Sequence, residues 1–106
     1  MSRETRRLGD SSMTKLTSEE LEQGLSELDG WSVEGDNLTK TLKFSTFPSG
    51  IAFVNQVADL AEEMGHHPDI NIRYSTVTLY LSTHDEGGIT AKDITLARRI
   101  DGLSGR

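Results

Sequence analysis

The sequence contains no cysteine, only two prolines, one tryptophan, and no apolar run of membrane-spanning length. Without cysteine there can be no disulfide, no thiolate nucleophile and no thiolate-bound zinc. The N-terminus lacks the apolar stretch of a signal peptide, so the expected location is cytoplasmic. Aromatic residues make up 6% and hydrophobic residues 34% of the 106, which predicts a small core in one modest domain. A small core makes burial through self-association an expected supplement. Positive charge is also scarce. The net charge is −6, and Arg3, Arg6, Arg7 and Lys15 fall within the first sixteen residues against Glu4 and Asp10. The rest of the chain therefore holds 7 of the 11 basic and 15 of the 17 acidic side chains. Such a body repels phosphate backbones and argues against direct nucleic-acid binding. No glycine-rich phosphate loop is present, and "EGG" at 86–88 lacks its strand–turn–helix setting.

Periodic structure begins after a polar tail, expected over residues 1–16. "LTSEELEQGLSELDG" opens on the capping box Thr17-x-x-Glu20 and repeats Leu21, Leu25 and Leu28 at helical spacing. "WSVEGDNLTKTLKF" reads as a β-hairpin, with Trp31 and Val33 on one strand face and Leu38, Leu42 and Phe44 on the face of the next. A long helix follows, with Thr46 or Phe47 near its cap and Pro48 in its first turn. Its expected apolar stripe is Ile51, Val54, Val57, Ala58, Ala61 and Met64, and Gly65 suits the position just past its end. "DINIRYSTVTLYLSTH" is too long for one strand and is split near Arg73–Ser75 into a second hairpin, with His84 at its end. "ITAKDITLARRIDGL" forms the last helix, where Thr90 and Asp93 resemble a capping box. The expected fold is α+β in the order α-β-β-α-β-β-α. It comprises a four-stranded antiparallel sheet with three helices on one face, spanning 17–103, and a frayed end at 104–106.

All three histidines lie between positions 66 and 84. A hairpin turning near residue 74 returns His84 towards His66 and His67, so the clustering follows from topology. Three readings remain open from the residues alone. His66 and His67 can cap the helix C-terminus. Three imidazoles can hold a metal, although adjacent histidines point apart and suit one ion poorly. Imidazoles around one pocket can also give one proton and take another, which suits loss or addition of water. Glu62, four residues before His66, could orient an imidazole or be a solvated charge, and Asp93 could reach the cluster or serve only as a cap.

The pattern Glu62, His66, His67, Pro68, Tyr74, His84, Asp93 resembles the signature of the pterin-4a-carbinolamine dehydratase family. That family is also known as the dimerisation cofactor of a homeodomain transcription factor. The resemblance extends to "LSTH" and "DITLARRI" and covers about residues 17–103. It implies a dehydratase that uses neither cofactor nor metal and removes water from 4a-hydroxytetrahydropterin to give quinonoid dihydropterin. It also implies a functional link to an aromatic amino acid hydroxylase, which makes that substrate. By the same resemblance His66, His67 and His84 are the catalytic residues, with His67 the main acid–base group. Substrate binding falls to His66, His67 and Pro68 and to Thr83, His84, Asp85 and Glu86, while Glu62 and Asp93 orient imidazoles from behind. A homodimer or homotetramer is implied as well. The competing function is a non-catalytic protein-binding or dimerisation module of the same family.

Overall fold

The computed structural model describes residues 14–103; most of the expected tail (1–13) and residues 104–106 lie outside the described residues. The elements are α1 (Ser18–Ser26), β1 (Ser32–Glu34), β2 (Asn37–Lys43), α2 (Phe47–Met64), β3 (Asp69–Arg73), β4 (Thr76–Leu81), a 3₁₀ turn (His84–Glu86) and α3 (Ala91–Asp101). The strands form one antiparallel sheet in the order β1-β2-β4-β3. The expected α+β architecture is therefore the observed one.

Alternation along the two central strands shows which face is covered. Leu38 and Leu42 of β2 and Val77, Leu79 and Leu81 of β4 are buried. Against them pack Phe53 and Val57 of α2 and Ile94, Leu96, Ala97 and Ile100 of α3. Phe44, just past β2, meets Phe53 with ring centroids 5.3 Å apart. The intervening residues, among them Thr41 and Thr78 with hydroxyls 3.1 Å apart, occupy the uncovered face. α1 buries no residue fully and lies on α3 through Gly24, where a Cβ would stand 2.9 Å from Ile94 Cδ1.

Several details differ from expectation. α1 ends at Ser26, before Gly30, and Leu16 belongs to the domain: its N–H bonds Ile89 O at 2.8 Å and its side chain packs on the core. On α2 the buried line runs Gly50, Phe53, Val57, Ala61, while Ala58 is exposed. Two overlapping stripes share this helix at 3.6-residue spacing, and the one bearing the larger aromatic buries more area. Trp31 is buried but Val33 is not, because β1 is a three-residue edge strand with little above it. The β3–β4 turn falls at Tyr74–Ser75, between the paired Arg73 and Thr76. Tyr74 has φ 54, a conformation usually left to Gly, Asn or Asp, and is 74% exposed.

One buried charge escaped sequence reasoning. Lys40 sits on the covered face between Leu38 and Leu42 and is only 7% exposed. Its Nζ donates to Asp101 Oδ1 at 2.9 Å and lies 5.9 Å from the Trp31 ring centroid. Trp31 Nε1–H also donates to Oδ1 (2.8 Å), and the Asp29 amide to Oδ2 (2.9 Å). Burial alone would raise the Asp101 carboxyl. The Lys40 ammonium, the Asp29 amide and the Trp31 indole together outweigh it and hold the group below the usual carboxylate range. A lowered folded value means stability that is complete above the unfolded value near ~3.9 and is lost as pH falls through the folded one. Asp101→Asn is accordingly expected to cost about 2 kcal/mol at neutral pH. That cost should shrink steadily on acidification. Urea unfolding across the acid range checks this, and a cost independent of pH would contradict it.

Candidate active site

The local geometry that builds the site begins at the C-terminus of α2. Gly65 adopts φ 64, so the helix closes with His66 N–H on Ala61 O (3.0 Å) and Gly65 N–H on Glu62 O (3.2 Å). This double closure is the Schellman arrangement, and it reverses the chain sharply after one left-handed residue. The two histidines that follow part company. His66 turns inward, its side chain 11% exposed, with Nε2 2.5 Å from Asp93 Oδ1. His67 turns outward, 61% exposed, with Nε2 2.7 Å from Glu62 Oε2. Each imidazole thus has its own carboxylate. The sequence pairing of Glu62 with an imidazole is observed, but the partner is His67 and not the helically spaced His66.

Asp93 is fully buried at the start of α3. Its Oδ2 accepts from the Thr90 amide (2.9 Å) and the Thr83 hydroxyl (3.0 Å), and its Oδ1 meets His66. It is therefore both the capping-box residue and the imidazole partner. With the carboxylate as acceptor, His66 Nε2–H is the donor, and in the neutral ring Nδ1 keeps its lone pair.

The third histidine arrives from the other side. β4 ends at Leu81, so His84 does not close a strand as expected; it opens a single 3₁₀ turn. Thr83 N–H on Gly88 O (2.8 Å) closes the base of that turn, and Gly87 at φ 74 reverses the chain within it. The sheet register carries the turn back to the end of α2, and a cleft of about 380 Å³ opens between them. It is lined by Gly65, His66, His67, Ser82, Thr83, His84, Asp85 and Lys92. A wider hollow along α1, bounded by Glu19, Glu22, Gln23 and Ser26, brings no imidazole and no buried partner. The three imidazoles are gathered in the former. Of the residues expected to bind substrate, His66, His67, Thr83, His84 and Asp85 line the cleft, whereas Pro68 and Glu86 stand outside its lining. Ser82 and Lys92 are lining residues the sequence reading missed. Lys92 did carry a signal: a cation in the first turn of a helix opposes the helix dipole, where an acid is favoured. Among the described residues no three His, Asp or Glu side chains stand so as to share one metal ion.

A helix-covered antiparallel sheet thus gathers three imidazoles and two carboxylates at one end. Comparison with known proteins gives the class a name. The family model for pterin 4 alpha carbinolamine dehydratase matches residues 14–103, and the chain belongs to that family. A relative from Roseiflexus sp. (strain RS-1), provisionally named a pterin-4-alpha-carbinolamine dehydratase, is 53% identical over 88 residues, 83% of this chain and 95% of the relative. A solved structure described as a transcriptional coactivator/pterin dehydratase from Brucella melitensis superposes with a TM-score of 0.80 at 37% identity. That match covers 84% of this chain and 97% of the other. A second, described as a pterin dehydratase-like protein and a RuBisCO assembly factor in the alpha-carboxysome, matches at TM-score 0.57 and 29% identity, covering 71% and 87%.

Proposed function

We propose that this chain dehydrates 4a-hydroxytetrahydropterin to quinonoid dihydropterin by histidine acid–base catalysis. The observation that carries the reading is the meeting of His66, His67 and His84 in one cleft, two of them backed by carboxylates. In the reaction the C4a–O bond breaks and the hydroxyl leaves with a proton as water. The N5 proton departs and a C4a=N5 double bond forms, so no oxidant or reductant is needed. His67, the main acid–base residue in this reading, protonates the leaving hydroxyl, and Glu62 supports its charged form. Its exposure lets water restore the proton between turnovers. His66, held by Asp93, offers Nδ1 to the N5 proton, and His84 binds and orients the ring with Asp85. Bound between fixed groups, the substrate needs little reorganisation at the moment of proton transfer.

In this reading the chain works in the cytoplasm and recycles the pterin of an aromatic amino acid hydroxylase. It does so as a homodimer or homotetramer. The strained, exposed Tyr74 of the β3–β4 turn and the half-exposed Ile72 of the edge strand β3 support self-association. The alternative, a protein-binding module, draws support from the description of the more distant structural relative as an assembly factor. Such a module could dispense with His66 and His67. The test follows decay of 4a-hydroxytetrahydropterin with the purified protein in excess chelator. Acceleration that survives chelation is expected. Acceleration that requires zinc, or none at all, overturns the reading.

A further inference from the structure

Thr83 stands where the two halves of the cleft join. Its backbone closes the His84 turn, through its N–H on Gly88 O (2.8 Å) and its carbonyl accepting from Glu86 N–H (2.9 Å). Its hydroxyl is committed inside the protein. It lies 3.0 Å from Asp93 Oδ2 and 2.8 Å from Thr90 Oγ1, with the residue 7% exposed. Counting protons fixes the direction of each bond. An ionised carboxylate only accepts, so Thr83 gives its single hydroxyl proton to Asp93. The Thr90–Thr83 contact must then use the Thr90 proton, while Thr90 Oγ1 accepts from the Lys92 amide at 3.3 Å. The chain runs from Lys92 N–H through Thr90 and Thr83 to Asp93, with His66 Nε2–H arriving on the other carboxylate oxygen.

We propose that Thr83 is a positioning residue: its hydroxyl holds the Asp93 carboxylate with Oδ1 on His66 Nε2, so that His66 presents Nδ1 to the cleft. One residue then sets two imidazoles, His66 through its side chain and His84 through its backbone. The resemblance to the family had cast Thr83 as a substrate contact, and the direction of its hydroxyl gives it a different task. What the positioned imidazole does rests on the dehydratase reading; how it is positioned does not. A buried threonine that merely completed the α3 cap would affect folding alone. The groups around His66 are Asp93 behind it and His67, His84, Asp85 and Lys92 across the cleft. Thr83→Val leaves all of these in place. It removes one donor from Asp93, which leaves the carboxylate pulling harder on the imidazole proton.

The test compares wild type, Thr83→Val and Thr83→Ser by nitrogen NMR of the histidine rings in substrate-free protein, and by pH–rate profiles. Wild type and Thr83→Ser are expected to hold His66 as the Nε2–H tautomer. In Thr83→Val the His66 ring nitrogen signals are expected to change, because Asp93 has lost the donor on its other oxygen. The acid limb of the kcat/KM profile moves with them, and KM changes little. Ring signals and profile unchanged in Thr83→Val, with only a lower Tm, would overturn the proposal. So would a wild-type His66 protonated on Nδ1, a result that decides the matter even if Thr83→Val does not fold. Absence of dehydratase activity would overturn the function proposed above and leave the tautomer result to stand by itself.

Discussion

His67→Ala is expected to lower kcat/KM for 4a-hydroxytetrahydropterin by roughly 10²–10⁴, the usual contribution of a positioned acid–base group. The fold should scarcely notice. His67 is largely exposed, its partner Glu62 is also exposed, and exposed pairs of this kind contribute under ~1 kcal/mol. Loss of rate with an unchanged unfolding midpoint therefore separates chemistry from structure. Retention of full activity would remove His67 from the acid–base role. It would also revive the module reading, in which His67 is dispensable.

Asp93→Ala acts in the opposite register. It strips three hydrogen bonds at once: from the Thr90 amide, the Thr83 hydroxyl and the His66 ring. Each buried partner left unpaired costs ~1–3 kcal/mol, and loss of the cap adds to that. A total near or above ~3 kcal/mol is expected, a large share of the ~5–15 kcal/mol that holds a typical domain together. Asp93→Asn is the sharper probe. It keeps the volume and one acceptor, but it can present an amide N–H to His66 Nε2. His66 would then move its proton to Nδ1 and offer no lone pair to the cleft. Asp93→Asn should accordingly lose much less stability than Asp93→Ala and still lose most of its activity. Chemical denaturation and steady-state rates on the two variants check both halves. Equal stability in wild type and Asp93→Ala would contradict the buried network.

The parts legible in the sequence were those decided by local chemistry. The capping boxes at Thr17/Glu20 and Thr90/Asp93, the left-handed Gly65 and the alternation of Val77, Leu79 and Leu81 all appear as read. The convergence of His84 on His66 and His67 was legible too, because a hairpin must return beside its own start. What could not be read depended on direction in three dimensions. The reversal at Gly65 sends two adjacent side chains to different carboxylates, and residue spacing along α2 gives no hint of which. Lys40 shares the parity of Leu38 and Leu42, so the pleat puts it under the helices, but nothing in the local sequence names Asp101, 61 positions later, as its partner. Tyr74 breaks the usual turn preference, so the position of the turn was set by strand register and not by a turn residue. The role of Phe53 was obscured because two apolar stripes on α2 satisfy the same period.

If the cleft carries out metal-free proton transfer on a pterin carbinolamine, the protein must speed the loss of that compound. The most direct measurement is the first-order decay of 4a-hydroxytetrahydropterin, corrected for its spontaneous loss, with chelator present throughout. The predicted result is a rate proportional to protein concentration for wild type that falls almost to the buffer rate in His67→Ala. A wild-type rate equal to buffer alone, or one that appears only when zinc is restored, would contradict it.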